Sequence, residues 1–159
     1  MTFTRKTIFT LAAASLAVGT MAFAGGHNLS EAEQALKARK AHMQLYAHNL
    51  GILGAFAKGE AEFDAAAAQA AADNLVSLAS INQMSYWHPD SSSMDLDTSR
   101  SLPELWDNIP DAIAKGEGML QAASAMQAAA GTLEGVQGAI GQVGGACGAC
   151  HKPYRQPNN

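Results

Sequence analysis

The residues with the clearest chemistry are two cysteines and a histidine near the end of the 159-residue chain. They form the segment Cys147-Gly148-Ala149-Cys150-His151, a C-x-x-C-H motif. This motif is the signature of c-type haem attachment. Two thiols at this spacing can form thioether bonds with two haem vinyl groups, and the histidine that follows can present a ring nitrogen to the iron. The motif therefore predicts one covalently attached haem c.

Three other uses of the cysteine pair have weaker support. A redox-active pair normally follows a strand at the start of a helix, whereas this pair lies near the end of a chain without strand-like alternation. A structural zinc site needs four ligands, and the sequence has no second pair with suitable spacing. A disulfide between these cysteines would be strained within a helix.

The first 24 residues have the features of a secretory signal peptide. Arg5 and Lys6 form a positive region, an apolar stretch covers residues 8–21, and Ala22-Phe23-Ala24 matches a cleavage site. The alternative is an uncleaved membrane anchor, but the stretch is shorter than the roughly 20 residues that a spanning helix needs. We therefore expect an exported domain of residues 25–159, with Gly25 as its first residue and no membrane span after processing.

The composition favours helices and excludes nucleic acid as the main partner. Alanine runs are frequent and only 5 prolines occur, which suits helices because alanine has the highest helix propensity. The formal net charge is −4. Removing the two cations of the predicted signal peptide leaves 8 Lys and Arg against 14 Asp and Glu, a net charge of −6. This balance suits docking to a basic redox partner better than binding to phosphates.

Capping signals and apolar spacing predict four helices around one longer connection. Ser30 and Glu33 match a capping box, in which each side chain pairs with a backbone N–H of the other residue. Trp87 and Trp106, near the two ends of the connection, are expected to hold it against the bundle. Two helices also have predicted apolar faces, Ile113, Leu120 and Ala123 in helix C and Val136, Ile140, Val143 and Cys147 in helix D. The predicted helices are helix A from Ser30 to Lys58-Gly59, helix B from Asp64 to about Ser80, helix C from about Ile109 to Ala130 after a prelude at Pro103–Trp106, and helix D from Thr132 onward. This order predicts an all-α, antiparallel up-down-up-down four-helix bundle.

The sequence resembles the cytochrome c′ family, the class II c-type cytochromes, over about residues 30–155. The motif lies near the C-terminus and continues as C-x-x-C-H-x-x-[YF]-R. The other matching segments are Arg39-x-x-x-Met43, Gly59-Glu60-Ala61-Glu62-Phe63-Asp64-Ala65 and Leu102-Pro103-Glu104-Leu105-Trp106. The alanine-rich helix B and the link before it are more similar to the low-spin branch, in which a methionine binds the iron. Pro153 departs from the family pattern, and we expect it to distort or end helix D just after His151.

The resemblance implies roles for three residues beyond the cysteines. It assigns His151 as the proximal iron ligand and places Met43 on the distal side, where its thioether could bind the iron and raise the reduction potential. It also pairs Arg39 with a haem propionate. The alternative for Met43 is an ordinary core residue, since methionine often fills gaps between helices.

The other histidines are weaker candidates for iron ligands. His42 and His48 lie about 100° and 140° from Met43 around helix A, so we expect both to face solvent. His27 lies in the N-terminal segment, and His88 precedes a proline in the long connection.

Two functions of different kinds follow from this pattern. The first is a periplasmic electron carrier with one haem, bound by His151 and Met43, that exchanges electrons with redox partner proteins and catalyses no reaction. The second is a five-coordinate protein that binds NO or CO at the distal haem face. The sequence is compatible with either a monomer or a homodimer.

Overall fold

The computed structural model describes residues 28–157 and is built from helices. The elements are α1 (Glu31–Lys58), α2 (Ala65–Ala79), two short 3₁₀ turns (Met84–Tyr86 and Pro89–Ser91), α3 (Glu104–Asp107), α4 (Ile109–Ala129) and α5 (Leu133–Tyr154). The four long helices match the predicted helices A to D, and α3 matches the predicted prelude. The predicted signal peptide, its cleavage site and His27 lie outside the described residues.

Local capping interactions set the helix ends where the sequence predicted them. The Ser30 side chain accepts a hydrogen bond from the backbone N–H of Glu33, and the Glu33 carboxylate accepts one from the N–H of Ser30. Gly59 ends α1 at a φ of 71°, in the left-handed region that glycine adopts without strain. The side chains of Asp64 and Thr132 cap α2 and α5 in the same manner as Ser30. These predictions are confirmed.

The four long helices pack in a ring in which each contacts two neighbours, in the order α1, α2, α4, α5 and back to α1. Side chains join neighbouring helices at matching levels. Asn74 on α2 donates to Asn49 on α1 at 3.0 Å, and Gln137 on α5 donates to the carbonyl of Ala57 on α1 at 3.1 Å. The predicted antiparallel four-helix bundle is therefore confirmed. Within residues 28–157, no helix is both long and apolar enough to cross a membrane.

The apolar core occupies the half of the bundle that holds the α1–α2 and α4–α5 links. Its members include Leu53, Leu75, Met126 and Val143, each with 0% of its surface exposed. On α4, the buried side chains all belong to the second half of the helix. The predicted apolar face of helix C is only partly buried, because Ile113 near its start is 48% exposed.

Arg39 holds the long connection against α1 in the other half of the bundle. Its guanidinium is buried and donates four hydrogen bonds of 2.8 to 3.3 Å to the carbonyls of Tyr86 and Ser91 and the hydroxyls of Ser91 and Ser99. Burial lowers its pKa to about 10, so the cation persists at neutral pH. A buried charge is costly unless such acceptors surround it. The connection therefore depends on this side chain.

The two tryptophans complete this attachment, as the sequence predicted. The Arg39 guanidinium lies 4.7 Å from the ring centre of Trp87 and 5.8 Å from that of Trp106. The Trp106 indole N–H donates to the carbonyl of Trp87 at 3.2 Å. Cation–π contacts of this kind stabilise a desolvated guanidinium.

Helix α5 continues past Pro153, so the expectation that it ends or distorts just after His151 is wrong. The N–H of Arg155 still donates to the carbonyl of His151 at 3.0 Å. The carbonyl of Tyr154 accepts from the N–H of Leu102 at 2.9 Å. These bonds hold the chain on both sides of the proline, which compensates for its missing N–H.

Replacing Arg39 with methionine should lower the free energy of unfolding by about 3 kcal/mol or more, because buried acceptors lose a charged donor. Urea unfolding of the holoprotein, followed by circular dichroism, measures this change. The neighbouring exposed Lys40 provides the control, since Lys40→Met should change stability by no more than about 0.5 kcal/mol. Equal losses in the two variants would show that the Arg39 contacts do not hold the connection.

Candidate haem-binding site

The C-x-x-C-H motif occupies the last turns of α5. Cys147 and Cys150 are both half-buried and are not joined in a disulfide. Burial raises the pKa of both thiols, the opposite of the lowered pKa that activates a redox-active pair. Among the described residues, no group of three or more His, Cys, Asp or Glu side chains is placed to hold a metal ion. The redox-pair and zinc alternatives therefore gain no support from the structure.

Helix pairing brings His151 and Met43 to the same level of the bundle. Gln137 and Ala57 join α5 to α1, and His151 and Met43 each lie 14 residues from that contact. Since the helices are antiparallel, both residues are displaced about 21 Å in the same direction. Met43 is half-buried. The pair that the family resemblance singled out therefore lies on neighbouring helices at one level.

His151 has the electrostatic setting of a neutral ligand. Partial desolvation by the residues around it lowers its pKa, and the nearby Arg155 cation lowers the pKa further. An imidazole must be unprotonated to bind a metal. The surroundings of His151 therefore favour the form that could bind iron at neutral pH.

The chain around the motif has the space and the apolar surface that a porphyrin needs. Gly116 and Gly118 on α4, and Gly144 and Gly145 on α5, have nothing within 4 Å of the position that a Cβ would take. The apolar side chain of Ile113 on α4 remains substantially exposed. A flat apolar group attached to the cysteines would contact such surfaces. The residues present therefore fit a covalently attached haem.

A polar cluster that the sequence analysis missed lies beside Cys150. The Tyr154 hydroxyl donates to the Asp111 carboxylate, and Lys115 donates to the same carboxylate at 2.8 Å. The hydrogen bond to Asp111, together with burial, raises the pKa of Tyr154 to about 12, so the phenol remains a neutral donor. The spacing of Asp111 and Lys115, four residues apart on one helix, was the available signal. Their contact with Tyr154 joins the start of α4 to the end of α5.

Tyr46 on α1 is half-buried and lies near Cys147 of the motif. Burial raises its pKa to about 12, and the nearby Cys147 adds to the shift. The nearby Gln83 side chain acts in the opposite direction and lowers this pKa. Tyr46 therefore links α1 and the long connection at the level of the cysteines.

Two histidine predictions have different outcomes. His48 is exposed, as expected. His42 was expected to face solvent, but it is 4% exposed, and its Nε2 has no hydrogen-bond partner. Its ring packs against Tyr46 at 4.9 Å and Tyr86 at 5.7 Å between ring centres. The prediction failed because the long connection covers this side of α1.

Two further residues named in the sequence analysis are His88, a weak ligand candidate, and Arg39, the predicted propionate partner. His88 lies in the connection, half-buried, with ring nitrogens 3.9 Å from a Glu31 carboxylate oxygen and 4.0 Å from an Asp90 carboxylate oxygen. The terminal nitrogens of Arg39 donate to the connection as described above, and its pairing with a propionate stays a prediction.

Comparison with known proteins identifies relatives along most of the chain. The sequence model of the family described as "Cytochrome C'" matches residues 34–155. Cytochrome c-554 of Cereibacter sphaeroides is 42% identical over 125 residues, which cover 78% of this chain and 82% of that protein. Cytochrome c' of the same organism is 35% identical over 102 residues, which cover 64% of this chain and 68% of that protein. The solved structure "Cytochrome c' from Rhodobacter Spheriodes" aligns with a TM-score of 0.78 at 35% identity, covering 81% of this chain and all of that chain.

Replacing His42 with phenylalanine should make the free energy of unfolding less dependent on pH as the pH is lowered. Burial lowers the pKa of His42, with the Leu78 carbonyl acting in the opposite direction. Below the ordinary histidine pKa of about 6.5, the unfolded chain binds a proton that the folded chain does not. The wild-type protein therefore loses stability as the pH falls through this range.

Free energies of unfolding measured from about pH 7.5 to 5.5 should fall less steeply for His42→Phe than for the wild type. The exposed His48 provides the matched control, and His48→Phe should keep the wild-type slope. Equal slopes for His42→Phe and the wild type would contradict a lowered pKa of His42 in the folded protein.

Proposed function

Because the chain belongs to the cytochrome c′ family, we propose that it carries single electrons in the periplasm through a haem whose iron is bound by His151 and Met43. The protein is a mono-haem c-type cytochrome with one covalently attached haem c, and cytochromes of this kind are generally electron carriers and typically periplasmic.

The level shared by His151 and Met43 is the observation that carries the axial assignment. Cys147 and Cys150 would form the two thioether bonds, and His151 would face the iron from α5. Met43 projects from the middle of α1, a helix held at both ends by its caps and on its flank by the Arg39 contacts. A thioether in that position needs little rearrangement between oxidation states.

Bound haem supplies one-electron chemistry, and His/Met ligation raises its reduction potential. The chain's own contribution is to orient the ligands and exclude water. Tyr46 is half-buried near Cys147, and the buried His42 packs against it; burial raises the pKa of the phenol and lowers that of the imidazole, which favours the neutral form of both. The setting of these residues therefore favours electron transfer over proton-coupled catalysis.

The Met43 assignment predicts a low-spin holoprotein. The ferric absorption spectrum at neutral pH should show a sulfur-to-iron charge-transfer band. Met43→Leu keeps the volume of the side chain but removes the thioether, so the variant should lose the band, become high-spin and bind CO rapidly when reduced. Met84 is 56% exposed, and Met84→Leu should leave the spectrum unchanged.

A wild-type protein that is high-spin in the ferric state would overturn the Met43 assignment. Rapid CO binding by the reduced wild type, changed little in Met43→Leu, would favour the five-coordinate gas-binding alternative. The ferric absorption spectrum and the rate of CO binding by the reduced protein therefore distinguish the electron carrier from the gas-binding protein.

We also propose that the domain of residues 25–159 is exported and that the signal peptide is cleaved after Ala24. The mass of the protein recovered from a periplasmic fraction should equal residues 25–159 plus one haem. Replacement of Ala22 and Ala24 with bulky residues should prevent processing and leave the protein with the membrane. A processed protein with a different N-terminus would contradict the cleavage site.

A further inference from the structure

The end of the long connection, residues 99–102, contacts both of the helices that carry the proposed axial ligands, and we call this segment the strap. On the α1 side, the Ser99 hydroxyl accepts a hydrogen bond of 3.3 Å from the Arg39 guanidinium. Arg39 lies four residues before Met43, which is about one turn or 6 Å along the helix. The strap therefore holds α1 one turn away from the proposed sulfur ligand.

On the α5 side, the strap pairs with the chain that follows His151. The N–H of Leu102 donates to the carbonyl of Tyr154 at 2.9 Å. The N–H of Gln156 donates to the carbonyl of Arg100, also at 2.9 Å, and the Arg100 side chain donates to the carbonyl of Gln156 at 2.7 Å. Tyr154 is three residues after His151, so these contacts begin about 5 Å beyond the ligand. Because α1 and α5 are antiparallel, they lie at the same end of the bundle as the contacts on α1.

Ser99 joins the two sides of the strap. It is 2% exposed, and its hydroxyl donates to the carbonyl of Ser91 at 2.8 Å and accepts from the N–H of Ser101 at 3.3 Å. A hydroxyl has one donor and two acceptor positions, and the hydrogen bond from Arg39 fills the second acceptor position. One buried hydroxyl therefore connects α1, the start of the connection and the segment that pairs with α5.

The strap lies nearer to the proposed axial ligands than the buried core does. On α5, the nearest buried core residue is Val143, eight residues or about 12 Å before His151. On α1, it is Leu53, ten residues or about 15 Å after Met43. The strap contacts lie within about 6 Å of the same two ligands. The strap therefore restrains the spacing of α1 and α5 at this level more closely than the core does.

We propose that Ser99 is a positioning residue, which keeps the Met43 sulfur on the iron by fixing the spacing of α1 and α5. This inference rests on the proposed ligation by His151 and Met43. Both cysteines and His151 belong to α5, so that helix would carry the haem, whereas Met43 belongs to α1. The sixth ligand is thus held only as firmly as the two helices are held together, and a loosened strap would let a small ligand such as CO compete with it.

The rate of CO binding to the reduced holoprotein, measured by stopped-flow absorption, tests this role. The sulfur must leave the iron before CO binds, so the rate reports how firmly Met43 is held. Ser99→Ala removes the hydroxyl without adding bulk. We expect CO to bind at least about tenfold faster, as follows from the loss of one hydrogen bond to a charged group, and the ferric sulfur-to-iron band to weaken. A folded Ser99→Ala protein with the wild-type CO rate would overturn the proposal.

Val136→Ala is the matched control for a general loss of stability. Val136 is fully buried in the core half of α5, 15 residues before His151. Both variants should lower the midpoint of urea unfolding, but Val136→Ala should keep the wild-type CO rate and ferric spectrum. Equal acceleration of CO binding in the two variants would overturn the proposal.

A variant at the protein surface covers the case in which Ser99→Ala does not accumulate as holoprotein. Arg100→Met removes the exposed contacts of the strap with the carbonyls of Gln156 and Pro157. It should raise the CO rate in the same direction, by at least about threefold. An unchanged CO rate in Arg100→Met would then overturn the proposal.

A double variant distinguishes the position of Met43 from the access of CO to the haem. Met43→Leu leaves no thioether to be held, so adding Ser99→Ala should change its CO rate by less than about twofold. Equal acceleration in the presence and absence of Met43 would overturn the positioning role, because the strap would then control access. A wild type that is high-spin in the ferric state would overturn the axial ligands and this role together, whereas a low-spin wild type with an unaffected Ser99→Ala variant would overturn the role of Ser99 alone.

Discussion

One half of this bundle buries an apolar core of its own side chains, and the other half is built to be completed by the haem. Helix α5 spans both halves with six glycines, each of which costs up to about 1 kcal/mol relative to alanine in a helix. Packing of Val136 and Val143 stabilises its first part. Its last part contains the two cysteines, and a covalently held apolar group there would replace the contacts that glycine cannot make. The stability of this helix and the binding of its cofactor are thus closely linked.

Helix α1 depends on a different interaction, the burial of the Arg39 cation. Arg39 draws the long connection onto α1 through hydrogen bonds to Tyr86, Ser91 and Ser99, and that connection in turn covers His42. The segment of α1 that carries Met43 is therefore held from the side as well as by its caps. An arginine that the family resemblance assigned to a propionate also has a structural role in the bundle.

Charge in this protein is informative only when its position is known. Of the 14 acidic residues, 12 lie between residues 59 and 134, and some of these belong to the connection that packs against α1. Because the connection folds back onto α1 and α3 onto α5, acidic residues that are distant in the sequence come close to the cations of these helices. Asp111 lies beside Cys150, so the end of the bundle that carries the motif contains carboxylates as well as cations.

The sequence by itself determined the features that depend on neighbours within a few residues. The helix ends follow from caps such as Ser30 and Thr132, which bind N–H groups three residues away, and the haem-attachment chemistry follows from the C-x-x-C-H spacing. Only the tertiary structure decided the burial of His42, the 43-residue separation bridged by Tyr154 and Asp111, and the passage of α5 through Pro153. These features depend on contacts between segments far apart in the chain, and local spacing carries no information about which distant carbonyl, ring or carboxylate will pack against a given side chain.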